Sequence, residues 1–125
     1  MFDCNWLKQI NDEYGHEQGD LYLRTASKAI CEIFAHSPVF RVGGDEFVAL
    51  LQGKDFADRE NLLQAFDRKA DEINAAAAAP WDKLSLAWGV AVFRPDADAG
   101  VEQVLRRADE RMYENKRRYK ETLGK

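Results

Sequence analysis

Residues 40–51 read Phe-Arg-Val-Gly-Gly-Asp-Glu-Phe-Val-Ala-Leu-Leu, and no other stretch constrains the fold of this chain as tightly. Pro38–Val42 and Phe47–Leu51 are rich in β-branched and aromatic side chains. They flank two adjacent glycines, which is the pattern of a hairpin closed by a tight turn. Paired glycines permit positive φ and leave bare backbone where another group has to come close. Asp45 and Glu46 follow at once, so two carboxylates stand beside that gap. Such a corner is hard, oxygen-rich and anionic, the kind that takes Mg²⁺ and, through it, phosphates.

Around the hairpin the periodicity alternates between sheet and helix. Residues 1–4 read as the end of a strand. Trp6–Tyr14 is a short helix with Asn5 as its N-cap. Gly15–Gly19 is a loop, and Asp20 caps a helix whose apolar residues Tyr22, Ala26, Ala29, Ile30 and Ile33 recur at helical spacing. After a turn at Gly53-Lys54, a helix is predicted from about Phe56 to Ala79, with Leu62, Leu63, Phe66, Ala70 and Ile73 inward. The alanine run Ala75–Ala79 is a strong helix former and Pro80 ends it. Leu84–Phe93 reads as a strand buried on both faces, Pro95–Gly100 as a loop, and Val101–Tyr119 as a last helix that buries Val104, Leu105, Ala108 and Met112. The sum is an α+β chain with a mixed sheet flanked by helices, its strand order left open by periodicity.

At 125 residues and 14.3 kDa the chain makes one domain with one core. Its net charge of −4 gives no basic footprint for nucleic acid. The charge is uneven, because residues 101–125 hold eight Lys/Arg against five Asp/Glu. A basic helix opposite an acidic metal corner suits a polyphosphate substrate carrying Mg²⁺. Cys4 and Cys31 lack metal-ligand spacing and read as buried thiols in a reducing compartment. No apolar run is long enough to span a bilayer, and no signal peptide opens the chain, so no membrane contact is expected from this segment and the cytoplasm is the expected location.

A second cluster gives these features a common meaning. Residues 2–20 contain Asp3, Lys8, Ile10, Asn11, Asp12, Gly15, His16, Gly19 and Asp20 in an order that, with Gly43-Gly-Asp-Glu-Phe47, closely resembles the GGDEF family of diguanylate cyclases. A third block, Ala108-Asp-Glu-Arg-Met-Tyr-Glu-Asn-Lys116, is similar to a C-terminal element of the same family. The resemblance covers nearly the whole chain, residues 1–125 as one GGDEF-type catalytic domain. It implies a palm-like, ferredoxin-related antiparallel sheet, as in nucleotide cyclases.

The resemblance also implies an activity: condensation of two GTP into cyclic di-GMP, a bacterial second messenger, with release of pyrophosphate. Each protomer of a homodimer would hold one GTP. Metal ligands would be Asp3, the Cys4 carbonyl, Asp45 and Glu46, with Mg²⁺ or Mn²⁺ as the cofactor. Asp45 and Glu46 would be the catalytic carboxylates, their roles undivided. Asn11 and Asp20 would read the base, since guanine's N1–H and 2-amino edge donates to a carboxylate while its O6/N7 edge accepts from an amide. Aspartate at 20, where a relaxed subset carries Ser, implies selectivity for GTP. Gly43 and Gly44 would bind the substrate, and the phosphates would meet Lys116, Lys120 and the amides of Asn5, Trp6, Leu7 and Lys8, where a helix begins. His16 would be a structural residue of its loop. The alternative is a catalytically weak GGDEF-like module that binds GTP or a protein partner and regulates a neighbour.

The chain departs from the family pattern in several places. Asn5 and Leu7 stand where Asp and Phe are usual, Ala87 replaces a serine, and Tyr119-Lys120 replaces Gly-Arg, which costs a bidentate fork. Phe34 and Ser37 occupy the Arg and Asp positions of the family's product-inhibition site, so inhibition through that site is not expected. The helix usual upstream of the first strand does not appear, nor does the sensory or receiver domain that would control the dimer. The expectation is a truncated core, weakly active by itself, with Asp3 on a fraying end.

Overall fold

The chain runs β1 (Phe2–Cys4), α1 (Leu7–Tyr14), α2 (His16–Ile33), β2 (Val39–Arg41), β3 (Glu46–Ala49), α3 (Gly53–Ala57), α4 (Arg59–Ala76), β4 (Leu86–Trp88) and α5 (Val101–Leu123), with a 3₁₀ turn at Pro80–Asp82. This structure, a computed structural model, describes residues 1–123, and their side chains except at Pro80 and 117–123. The strands form a four-stranded antiparallel sheet in the order β2-β3-β1-β4, the palm-like α+β arrangement expected from the sequence. The hairpin register sets Val39 opposite Ala49, Phe40 opposite Val48 and Arg41 opposite Phe47.

Two compact units share this chain: residues 4–85, and residues 1–3 together with the chain from Leu86 onward. In the larger unit, α2 packs against α1 and α4. Its buried stripe is Tyr22, Ala26, Ala29 and Ile30, and Leu63 and Phe66 of α4 are also buried. Burying the large apolar side chains among these contributes about 1.5–3 kcal/mol each. Several polar groups in the interior of this unit are paired. The Tyr22 hydroxyl lies 2.7 Å from the Asn5 carbonyl oxygen and 2.6 Å from that of Ser85. The Asn74 amide closes the connection after α4, donating to the Leu84 carbonyl at 2.9 Å and accepting from the Leu84 N–H at 2.6 Å.

In the smaller unit, Met1 and Gly89 exchange backbone hydrogen bonds of 2.9 Å in both directions, which places β1 beside β4. Helix α5 lies so close over Gly89 that a Cβ there would overlap the Ala108 carbonyl and the Met112 amide nitrogen. The Trp88 N–H donates to Asn115 Oδ1 at 3.1 Å. Asp98, its side chain 1% exposed, accepts two guanidinium hydrogen bonds from Arg107 and one from the Arg94 N–H. Those donors, Arg107 first, pull its carboxyl from 3.8 to about 2.

Several sequence expectations give way to local physics. Helix α4 ends at Ala76, not Ala79. Residue 80 as proline has no N–H for the Ala76 carbonyl and disfavours helical backbone at the residue before it, which works against helix propensity at the end of the alanine run. The predicted helix from Phe56 is two helices, and Gly53 begins the first instead of making a turn. The region read as loop at 15–19 is helical from His16, so Asp20 lies inside α2 and does not cap it. Trp6, not Asn5, occupies the N-cap of α1, and no side chain bonds there. Only Leu86–Trp88 of the expected 84–93 strand is strand, and Leu86 and Trp88 are half-buried. Cys4 is buried as expected, whereas Cys31 is exposed. Asp3 sits in a paired, buried strand (8% exposed), not on a fraying end.

Candidate functional site

The Gly43-Gly44 turn joins β2 to β3 and stands directly before Asp45 and Glu46. Neither glycine has a left-handed φ; among glycines that property belongs to Gly15 and Gly53. A Cβ at Gly44 would meet nothing within 4 Å, and one at Gly43 would make an ordinary 3.7 Å contact with Glu46 Cβ. Neither conformation nor internal packing therefore requires glycine here. The expectation of positive φ is corrected, and the expectation of bare backbone stands. Arg41 holds the turn from one side: its Nε donates to the Gly43 carbonyl at 3.2 Å and its NH2 group to the Gly44 carbonyl at 2.7 Å.

Where the turn ends, the Cys4 N–H donates to the Asp45 carbonyl at 2.8 Å. Glu46 then opens β3. The backbone of Cys4 and that of the first acid of the turn are thus side by side. After Cys4 the chain turns sharply into α1. Trp6 adopts φ 70°, the left-handed region that costs a non-glycine residue about 1 kcal/mol or more. The first-turn amides of α1, those of Leu7 and Lys8 among them, have no carbonyl within the helix to bond. Asn5 does not join them. Its N–H donates to the Ser85 carbonyl at 2.9 Å and its side-chain amide to Ser85 Oγ at 3.0 Å, so its predicted phosphate contact is withdrawn.

Asn11 and Asp20 come together through Gly19. A Cβ on residue 19 would overlap Asn11 Oδ1 and fall 2.9 Å from its Cγ, so the Asn11 amide lies directly on the α2 backbone beside Asp20. Glycine at 19 makes that seat. Asp20 lines a groove of about 440 Å³ together with Leu23, Arg24, Ser27 and Cys31 of α2 and Val39, Arg41 and Phe47 of the hairpin. Two cations and one carboxylate line it.

In the smaller unit the Lys116 ammonium reaches Asp3 Oδ2 at 3.0 Å, an ion pair that brings two of the predicted residues together. The Lys120 side chain lies outside the described residues. His16, expected in a loop, is the first residue of α2.

Sequence reasoning gave Arg41 no role and counted Gly19 as a motif match at the end of a loop, without its packing reason. Arg41 stands two residues before the turn, a spacing from which a side chain can return to the carbonyls that follow it. Gly19 matched the family pattern, but its seating of Asn11 left no signal beyond that, and the structure sets it inside a helix, where glycine is costly. At the positions of the family's product-inhibition site, Phe34 is 1% exposed and the Ser37 hydroxyl donates to the buried Asp55 at 2.7 Å. The His36 N–H donates to the same carboxylate oxygen at 3.0 Å. Neither position presents a free polar fork.

Among the described residues no three His, Cys, Asp or Glu side chains converge as an all-protein metal cage. Mg²⁺ does not demand one, since it is commonly held by one or two carboxylates together with substrate phosphates and water. The Asp45 and Glu46 carboxylates and the backbone at Cys4 supply hard oxygen of that kind, and the donor set fits.

Comparison with known proteins converges on the same features. A family model described as "Diguanylate cyclase, GGDEF domain" matches residues 1–122. Diguanylate cyclase DosC of Escherichia coli K12 is 34% identical over 120 residues, which cover 94% of this chain and 26% of that protein. The chain therefore spans about a quarter of the length of the curated relatives it matches. Among solved structures, the active GGEEF domain of a diguanylate cyclase from Vibrio cholerae superposes with a TM-score of 0.77 at 25% identity, covering 94% of this chain and 74% of that one. An EAL/GGDEF domain protein from M. capsulatus superposes at 0.73 with 33% identity, covering 94% and 76%. Among the described residues no helix is long and apolar enough to cross a membrane. With the family model spanning both the Gly43–Phe47 turn and the Asn11–Asp20 seat, this chain belongs to the GGDEF-domain diguanylate cyclase family.

Proposed function

We propose that this chain condenses two GTP into one cyclic di-GMP and two pyrophosphates. The observation that carries the proposal is the Gly43-Gly44 turn, whose glycines answer neither to φ nor to packing and stand directly before Asp45 and Glu46. Bare backbone that the fold does not need serves an incoming group, and the adjacent carboxylates make that group a metal-bound polyphosphate.

In this proposal Asn11 and Asp20 hold the guanine, the amide meeting its acceptor edge and the carboxylate its donor edge. The α1 amides of Trp6, Leu7 and Lys8, with the Lys8 and Lys116 ammonium groups, hold the phosphates. Lys120 adds a further positive charge. Asp3, the Cys4 carbonyl, Asp45 and Glu46 hold Mg²⁺ or Mn²⁺. When bound, the cation neutralises charge on the phosphates and lowers the pKa of the attacking hydroxyl. Asp45 or Glu46 accepts the proton of the 3′-hydroxyl as its oxygen bonds to the α-phosphorus of the other protomer's GTP and pyrophosphate leaves. A homodimer is thus part of the chemistry, and an upstream regulatory domain in a bacterial cytoplasm is the setting that fits it.

The test is product formation from GTP and Mg²⁺ by full-length protein, followed by chromatography, with Asp45→Asn alongside. Cyclic di-GMP from the wild type and none from a folded Asp45→Asn variant is expected. GTP binding without product would point to the regulatory-module alternative, and near-wild-type turnover by Asp45→Asn would remove the metal assignment.

A further inference from the structure

We infer that Arg41 is a positioning residue that orients the two peptide groups of the glycine turn so that the N–H groups of Gly44 and Asp45 form a phosphate cradle. The inference rests on the nucleotide reading above and adds to it a residue and a set of donors.

One guanidinium takes two consecutive carbonyls, those of Gly43 and Gly44. All peptide bonds in the described chain are trans. In a trans peptide the N–H points opposite to the C=O of the same plane. The plane that carries the Gly43 carbonyl also carries the Gly44 N–H, and the plane of the Gly44 carbonyl carries the Asp45 N–H. Arg41 therefore turns both N–H groups to the face of the turn away from itself. Among the described residues no hydrogen-bond acceptor is found for either N–H. Gly43 and Gly44 themselves carry no Cβ, and at Gly44 the space within 4 Å of the missing Cβ is empty.

A cation on the carbonyl side also polarises each peptide, which strengthens the N–H on its far side as an anion donor. Successive backbone N–H groups in a turn are a recognised anion-binding arrangement. A free Gly-Gly segment samples many orientations and would lose entropy on binding. The Arg41 fork removes that freedom in advance. Lysine reaches one carbonyl at a time and lacks the planar fork.

The experiment uses full-length protein and two probes in Mg²⁺: guanosine, and a GTP analogue with a methylene between the α- and β-phosphorus atoms. Arg41→Ala is expected to weaken the analogue about tenfold or more, the scale of one hydrogen bond to a charged group. Guanosine affinity and the melting temperature are expected to stay at wild-type values, and Arg41→Lys to fall between. Amide resonances of Gly44 and Asp45 should shift with the analogue in the wild type and not in Arg41→Ala. Equal affinity of Arg41→Ala for the analogue overturns the cradle. A parallel loss of guanosine affinity also overturns it, by making Arg41 a base contact from the groove. Wild-type protein that binds neither probe overturns the nucleotide reading itself, and the cradle with it.

Discussion

Replacing Gly19 by alanine separates the stability of this protein from the base recognition proposed for it. Inside a helix the change removes a residue that is worse than alanine by about 0.8–1.0 kcal/mol, so propensity alone favours the variant. Against this, the new Cβ overlaps Asn11 Oδ1 and lies 2.9 Å from Cγ, where ordinary contact begins at 3.4 Å. The obstacle is the end of a side chain and not backbone, so the Asn11 amide swings aside and the helix stays. The net change in unfolding free energy is expected within about 1 kcal/mol of zero, from the opposition of that rotation to the propensity gain. Base recognition fares differently, because the displaced amide no longer faces the base, and a good bidentate pair is worth about 1–3 kcal/mol. Affinity for guanosine should therefore fall about 5- to 150-fold while the denaturation midpoint barely moves. Urea unfolding and calorimetry on the same preparation give both quantities. A variant that loses 3 kcal/mol or more of stability, as a clashing core does, yet binds guanosine normally when folded would refute the argument.

Three further perturbations test other parts of the structure. Asp20→Ser should let ATP compete with GTP, because the carboxylate that accepts from guanine's donor edge is gone; unchanged selectivity in a mixed-nucleotide assay removes Asp20 as a reader. Gly89→Ala sets a Cβ against backbone atoms of Ala108 and Met112, which cannot rotate away, and is expected to cost about 2–3 kcal/mol or more in denaturant unfolding. Asp98 has its carboxyl pulled from 3.8 to about 2 by Arg107 and the Arg94 N–H, so it adds stability above pH 3.8 that is lost as pH falls toward 2. The gap in thermal midpoint between wild type and Asp98→Asn should be wide at neutral pH and close across that window, and a pH-independent gap would assign the loss to packing.

The parts of the fold that were legible in sequence are those where one local rule acts without rivals. The hairpin came from β-branched flanks around Gly43-Gly44, and the stripe from Tyr22 to Ile30 came from its period, since each pattern has a single way to bury its apolar face. Misreadings arose where two rules compete. Ala75–Ala79 has the highest helix propensity in the chain, and the helix still stops at Ala76, because a proline at 80 offers no N–H and disfavours helical backbone just before it. Gly15 and Gly19 looked like loop residues, yet Gly19 is in a helix to make room for Asn11, a reason that exists only in three dimensions. Asn5 has the composition of an N-cap, but its side chain and N–H are taken by Ser85, eighty residues away in sequence. Arg41 was passed over because its partners are backbone carbonyls, which leave no mark in composition. For the site the family resemblance supplied the roles, and the geometry brought together Asn11 with Asp20 and Asp3 with Lys116.

The empty space at Gly44 also bears on descent. Most active-site residues are guarded twice, because their loss harms both chemistry and folding, and selection against misfolding slows their decay. A glycine whose missing Cβ would meet no neighbour, and whose φ is not left-handed, has only the first guard. Drift can replace it with a side chain that points into solvent, and the progeny would inherit an intact, soluble and silent domain in one step. Such a lineage stays free to keep its surface and acquire a binding partner. On the function proposed for it, the passage from enzyme to mute scaffold is therefore short, and it begins at the Gly43-Gly44 turn.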